Sequence, residues 1–264
     1  MVRSGGRGWY GKVLAAALGV TAVAALTSLW GTQLGAGGGR PGQSGVSAAP
    51  SEPNPQAQGR KAAPVAAEIA HASEGGPRSV NITIDDGPDP VWTPQVLQVL
   101  RDNGVKATFC MVGTQASAHP DLVKDVVAAG HRLCDHTVSH DVTMDRQSEA
   151  YQSQQILDAE RMITEASGGV RPMYYRAPGG AFTPHSRDLA ASRGMRPLGW
   201  NIDSKDFERA GTAAIVATVK SEISNGPTLL FHDGGGDRSQ TVAALRELLP
   251  WLKEQGHTFG FPVR

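Results

Sequence analysis

Two adjacent carboxylates, Asp85 and Asp86, precede Gly87-Pro88, and a His136-x-x-x-His140 pair follows further along the chain. One carboxylate and two imidazoles make a three-donor set that holds a catalytic divalent cation and leaves positions open for water and substrate. On a helical turn the His136/His140 spacing would turn both imidazoles the same way. Adjacent carboxylates at a strand end point in different directions, so one can serve a metal while the other takes a proton. Beyond them lie Arg176, Asp203, Asp206 and His232. Each has a plainer reading: an Asp-Gly pair favours a turn, and an isolated H-x-x-x-H is weak evidence of a site.

The elements that position these residues lend them weight. Residues 79–84 alternate polar and apolar and stop at Asp85-Asp86-Gly87-Pro88, which reads as a strand ending in a turn. Thr93-Pro94 supplies an N-cap and an N1 proline to a helix running to Asn103, with Gly104 beyond its end. The same order repeats through strands at 106–112, 131–135, 173–176, 195–202 and 228–232, with a last short strand at 257–259. Helices are predicted at 120–129, 149–166, after Thr183-Pro184, at 212–224 and at 240–254. Strict strand–helix alternation implies parallel strands in a barrel or a doubly wound sheet. About seven strands is short for an eight-fold barrel, so a distorted (β/α) barrel is expected. On that map every reactive residue falls at the carboxyl end of a strand, the edge where loops converge to build active sites.

Composition sets the remaining bounds. The 264 residues carry 25 Lys+Arg against 25 Asp+Glu, with no block of like charge, which excludes the electrostatic footprint of a nucleic-acid partner. Residues 1–12 hold three basic residues and no acid, and residues 13–30 hold no charge. That pattern reads as a signal peptide or an N-terminal membrane anchor over 1–30. Residues 31–78, rich in Gly, Pro, Ala, Ser and Gln, read as a flexible spacer, leaving 79–264 as the globular domain. Cys110 and Cys134 end neighbouring predicted strands, where a disulfide or two buried thiols both fit.

Taken together, Thr83-Ile-Asp85-Asp86-Gly87, His136-x-x-x-His140, Arg176-Ala-Pro178, Asp203-x-x-Asp206 and Leu230-Phe-His232 resemble the five signatures of the polysaccharide deacetylase family, the NodB homology domain of carbohydrate esterase family 4. The motifs keep their order and spacing across about residues 79–260. The resemblance implies a NodB-like distorted barrel that removes acetyl groups from N-acetylated cell-surface glycan, peptidoglycan or chitin-type N-acetylglucosamine first and O-acetylated xylan after. It assigns Asp86, His136 and His140 to a divalent metal, zinc foremost, with cobalt or another ion as alternatives. By the same likeness Asp85 is the general base and His232 the general acid; Arg176 holds Asp85, and Asp206 tunes His232. Pro178, Gly179, Trp200, Asp203 and Leu230 are the expected substrate-binding positions.

Two departures from the family pattern bear on substrate choice. Gly179-Gly180 follows Pro178 where an aromatic is usual, and Phe207 stands where motif four ends in Trp. A monomer acting outside the cytoplasm, secreted or anchored to the membrane, is the expected setting. Two other classes compete: a non-haem iron oxygenase, which also uses two His and a carboxylate, and an inactive glycan-binding module that keeps only the fold.

Overall fold

The structure, a computed structural model, describes residues 63–264. The expected export segment at 1–30, and the spacer as far as residue 62, lie outside the described residues. Among the described residues no helix is long and apolar enough to cross a membrane.

In chain order the strands are β1 (Ser79–Asp85), β2 (Ala107–Met111), β3 (Arg132–Asp135), β4 (Tyr174–Tyr175), β5 (Arg196–Pro197), β6 (Ile202–Asp203), β7 (Thr228–His232) and β8 (Thr258–Phe259). The helices are α1 (Trp92–Asp102), α2 (Gly113–Ala118), α3 (Pro120–Ala128), α4 (Glu149–Ala166), α5 (Pro184–Ser192), α6 (Thr212–Glu222) and α7 (Ser239–Glu254). The strands form one parallel sheet in the order β5-β4-β3-β2-β1-β7-β6, with β8 beside the start of β1. All residues of β1, β2 and β7 are buried, as expected for strands covered on both faces by crossover helices.

The strand predicted at 195–202 is broken. Its first piece, β5, pairs with β4, and its second, β6, pairs with β7. These are the two ends of the sheet order, yet only residues 198–201 separate them, a span of under about 20 Å. The sheet therefore curls until its ends approach each other. The expected distorted barrel is in the structure a curled parallel sheet with this seam.

Backbone groups at the seam find partners from two sources. The fully buried Arg176 donates from Nε to Leu198 O at 3.1 Å and from Nη2 to Gly199 O at 3.0 Å. On the other source, Ala70 N donates to Pro197 O at 2.8 Å and Gly199 N to Ala70 O at 3.0 Å. The spacer reading of 31–78 thus ends too late. Val65 N also bonds Ala191 O, Glu74 N bonds Phe261 O, and Val263 N bonds Ala72 O, so residues 65–74 are structural. Its small, Ala-rich side chains hid this, because the segment is held by backbone bonds rather than by a buried face.

A fragment beginning at Ser79 is accordingly expected to be less stable than one beginning at Ala63. The five backbone bonds just named contribute together about 2.5–7.5 kcal/mol at roughly 0.5–1.5 kcal/mol each. Thermal melting of the two fragments should differ by on the order of 10 °C; equal melting points would show that the segment is ornamental.

Local signals succeed and fail for identifiable reasons. Thr183 caps α5 in a capping box with Ser186, as its position before Pro184 suggests. Thr93 does not cap α1. Asp89 Oδ1 takes the Val91 and Trp92 N–H groups instead, freeing the Thr93 hydroxyl for another partner. The short α2 was not expected, having no side-chain cap and a glycine at its first position. Cys110 and Cys134 are register partners in β2 and β3 and are joined in a disulfide, with Cα atoms 4.1 Å apart.

Candidate active site

β1 ends at Asp85, and β7 ends at its register partner His232. Asp85 is buried, and its Oδ1 accepts from Arg176 Nη1 at 2.6 Å. The same guanidinium nitrogen reaches Thr83 Oγ1 at 3.0 Å, and Thr83 in turn donates to Leu229 O at 2.7 Å. Arg176 thereby spends its donors on a carboxylate, a hydroxyl and two carbonyls, a fully partnered buried cation of the kind that tolerates desolvation.

Next to Asp85 the chain turns into the left-handed region, with Asp86 at φ 77°. That conformation is uncommon outside glycine, and Asp is among the residues that tolerate it. It sends the two neighbouring carboxylates to different partners. Asp86 Oδ1 lies 3.2 Å from His140 Nε2 and 3.5 Å from His136 Nε2, and Asp85 Oδ2 lies 3.5 Å from His136 Nε2. The loop after β7 packs against this turn. A Cβ on Gly234 would meet Asp86 O at 2.4 Å, so this glycine is a close-approach position.

His136 and His140 do not share a helical turn. They lie in an irregular loop after β3 in which Thr137 and His140 both adopt positive φ, 68° and 57°. Asp135 Oδ1 accepts Thr137 N at 2.8 Å, Thr137 Oγ1 accepts His140 N at 3.2 Å, and Gln155 of α4 accepts from Ser139. The rings meet edge-on, with centroids 4.8 Å apart.

The donor atoms of Asp86, His136 and His140 all lie within 4.8 Å of one another, and they fit a divalent cation. His136 Nδ1 sits 2.7 Å from Arg176 O. A carbonyl only accepts, so Nδ1 carries the proton and the lone pair of a neutral ring sits on Nε2, facing two carboxylates. Asp86 Oδ1 is itself buried without a hydrogen-bond partner. Acceptors converging on one point leave a cation as the group that satisfies them all. Burial opposes ionisation of Asp86, but the neighbouring imidazoles, His136 first and then His232 and His140, hold its carboxyl well below the usual range. Burial likewise lowers the His140 pKa, helped by His136.

On the opposite flank, His232 Nδ1 lies 2.6 Å from Asp206 Oδ1, while Asp206 Oδ2 accepts His232 N at 2.9 Å and the Thr241 hydroxyl at 2.8 Å. Burial works to lower the His232 pKa, but the hydrogen bond and charge of Asp206, then the charges of Asp85 and Asp86, push it up to about 9. Phe207, 45% exposed, meets the His232 ring edge-on at 5.7 Å. Asp233 adds a clamp: its N–H donates to Asp85 O at 3.0 Å and its Oδ2 accepts the Thr93 hydroxyl at 2.5 Å. A Cβ on Gly87 would come within 2.2 Å of Asp233 Oδ1, so the Asp85-Asp86 turn requires glycine there.

The structure brings Asp85, Asp86, His136, His140, Arg176, Asp206 and His232 to one edge of the sheet. The expected substrate positions divide. Pro178 and Leu230 are buried, Gly179 is exposed, and Trp200 is half-buried with its ring 5.6 Å from Arg176 Cζ. Asp203 is engaged at both oxygens by Lys205, through the backbone N–H at 3.0 Å and Nζ at 2.8 Å, and turns the chain rather than offering a free group. Thr83, Thr93, Thr241 and Asp233 were missed. Their signal was present: polar side chains on otherwise apolar buried strands or beside the rim residues require partners.

The polysaccharide deacetylase family model matches residues 72–198. A peptidoglycan-N-acetylglucosamine deacetylase of Bacillus cereus is 38% identical over 182 residues, 68% of this chain and 84% of that protein. A chitooligosaccharide deacetylase of a Bradyrhizobium species is 38% identical over 192 residues, 69% of this chain and 87% of that protein. The crystal structure of a peptidoglycan N-acetylglucosamine deacetylase in complex with an N-oxidanyl-benzamide has a TM-score of 0.69 at 29% identity, covering 73% of this chain and 90% of that one. The chain belongs to the polysaccharide deacetylase family.

Proposed function

We propose that the protein is a metal-dependent hydrolase that removes acetyl groups from N-acetylglucosamine units of a cell-surface glycan of the peptidoglycan or chitin type. The observation that carries this reading is the placement of Asp85 and His232, register partners on adjacent strands, beside the Asp86/His136/His140 cluster. A divalent cation bound there, zinc as our first choice, supplies Lewis acidity and makes water acidic enough to attack an amide at neutral pH. Asp85 accepts the proton of the attacking water at Oδ2, with Oδ1 held by Arg176. His232 carries a proton on Nε2 and gives it to the leaving nitrogen, with Nδ1 anchored on Asp206. The backbone N–H of Gly179, in the loop that follows Arg176, serves the developing oxyanion.

Release of acetate, measured on N-acetylglucosamine oligomers, peptidoglycan and acetylxylan with zinc or cobalt present, tests the reading. Acetate from the first two supports it; acetate from xylan alone would favour the O-deacetylase alternative, and none from any would end it. The oxygenase alternative has no support in the relatives, and its usual antiparallel β scaffold differs from the parallel sheet here. The binding-module alternative loses ground because base and acid are both present and partnered.

The pKa of His232 makes a second test. Its acid form persists below about 9, so activity that needs this proton falls as pH rises through that value. Asp206→Asn removes the carboxylate that raises it. The alkaline limb of kcat/KM should then move down toward the ordinary histidine value of about 6.5, with activity at pH 8 lower by more than about tenfold. An unmoved limb would show that another group is the acid.

We place the enzyme outside the cytoplasm, where the basic-then-apolar N-terminus would send it and where the Cys110–Cys134 disulfide persists.

A further inference from the structure

Gly179 and Gly180 let Val142 and Trp200 pack close against the backbone at the rim. They follow Pro178 after β4, with φ of 59° and 73°. A Cβ on Gly180 would come within 3.0 Å of the tip of the Trp200 indole, and one on Gly179 would touch Val142 in the loop after His140. The two glycines line a recess of about 310 Å³ whose other walls are Ile69, His71, Phe182, Gly199 and Trp200. Trp200 is half-buried, and its ring stands beside the guanidinium that grips Asp85. The recess is therefore one side chain removed from the centre of reaction.

Two of these walls belong to the N-terminal stretch. A Cβ on Gly199 would lie 2.4 Å from His71 Cε1 and 2.8 Å from Ile69 Cγ2, so glycine at this position is what lets the stretch close over the seam. His71 Nδ1 is fastened to Trp200 O at 3.2 Å. The recess is built by the fold, from three separated parts of the chain, and is not a crevice between mobile side chains.

Its lining selects its occupant. No Asp, Glu, Lys or Arg lines it, so neither an anionic nor a cationic group finds a counter-charge there. A half-buried indole, a phenyl ring and bare glycine backbone suit a neutral ring that offers an apolar C–H face and a polar edge, which is a pyranose. We propose that this recess is a subsite that binds the neutral pyranose ring of the glycan unit adjacent to the one being deacetylated, stacked on Trp200. The assignment rests on the deacetylase reading and adds to it a reason for the enzyme to prefer chains over single sugars.

The test is chain-length dependence in the metal-loaded full chain. Values of kcat/KM are compared for N-acetylglucosamine and its two-unit oligomer in the wild type, Trp200→Leu and Gly180→Asn. Asn tolerates the positive φ at 180, and its side chain crowds the indole tip, which lies 3.0 Å from the place of a Cβ there. In both variants the preference for the two-unit oligomer should fall by on the order of tenfold. Equal loss at both lengths would make Trp200 a mere buttress of Arg176 and overturn the subsite, as would an unchanged preference. Should Trp200→Leu fail to fold, Gly180→Asn decides alone. Should the wild type release no acetate, the deacetylase reading falls, and calorimetric titration with the two-unit oligomer judges the recess: binding about tenfold weaker in the variants supports it, and equal binding overturns it.

Discussion

Replacing Asp85 with Asn is expected to lower kcat for acetate release by on the order of 10³–10⁴ while about one cation per chain stays bound. The amide keeps the shape of the carboxylate but cannot accept a proton, and general-base catalysis is worth roughly 10²–10⁴. The three proposed ligands are untouched, so metal content separates loss of the base from loss of the cation. The substitution has a second cost. Arg176 is fully buried and keeps only neutral partners, Thr83 Oγ1, Leu198 O and Gly199 O, once the anion is gone. Breaking a buried pair by removing one charge costs about 3–5 kcal/mol. Kinetics should therefore be recorded well below the melting point, alongside a thermal melt; activity within tenfold of wild type would remove Asp85 from its role.

His136→Ala is expected to abolish both metal retention and turnover. The imidazole is 2% exposed, its Nδ1 is fixed on Arg176 O, and its Nε2 faces both Asp85 and Asp86. Removing it leaves two donors and places two carboxylates against an empty space. Elemental analysis after dialysis should find less than about a tenth of the wild-type metal, and activity should fall by more than about 10³. Near-normal metal with near-normal activity would mean that the cation, if one is used, sits elsewhere.

Much of this site was legible because the chemistry clusters in sequence at strand ends. Asp85, His136, Arg176, Asp206 and His232 each follow or end a strand whose buried pattern is readable, and a parallel sheet carries all such ends to one edge. What was not legible depends on contacts between distant segments. The break between Pro197 and Ile202 does not show in an apolar run; it arises because the two halves pair with different strands. The stretch at 65–74 carries almost no buried side chain apart from Ala70, so hydrophobic patterning cannot find it, and its backbone bonds to Pro197, Gly199 and Phe261 are invisible in sequence.

Spacing misled in one case and helped in another. The i,i+4 interval of His136 and His140 suggested a helical turn, whereas the imidazoles converge through left-handed residues pinned by Asp135 and Gln155. Asp203 and Asp206, three apart, looked equally available at the rim. In the structure a 3-10 turn buries Asp206 under His232 and Thr241 and leaves Asp203 to Lys205. Residue type told which groups were reactive; only the fold told which were spoken for.

The central claim, a single cation serving one hydrolytic centre, is tested most directly by stripping the protein of metal with a chelator and titrating zinc back. Acetate released from N-acetylglucosamine oligomers is recorded at each addition. Activity should be absent at the start, rise linearly and saturate at one zinc per chain. Full activity in the stripped protein, or a rise that demands two equivalents before any acetate appears, would contradict it.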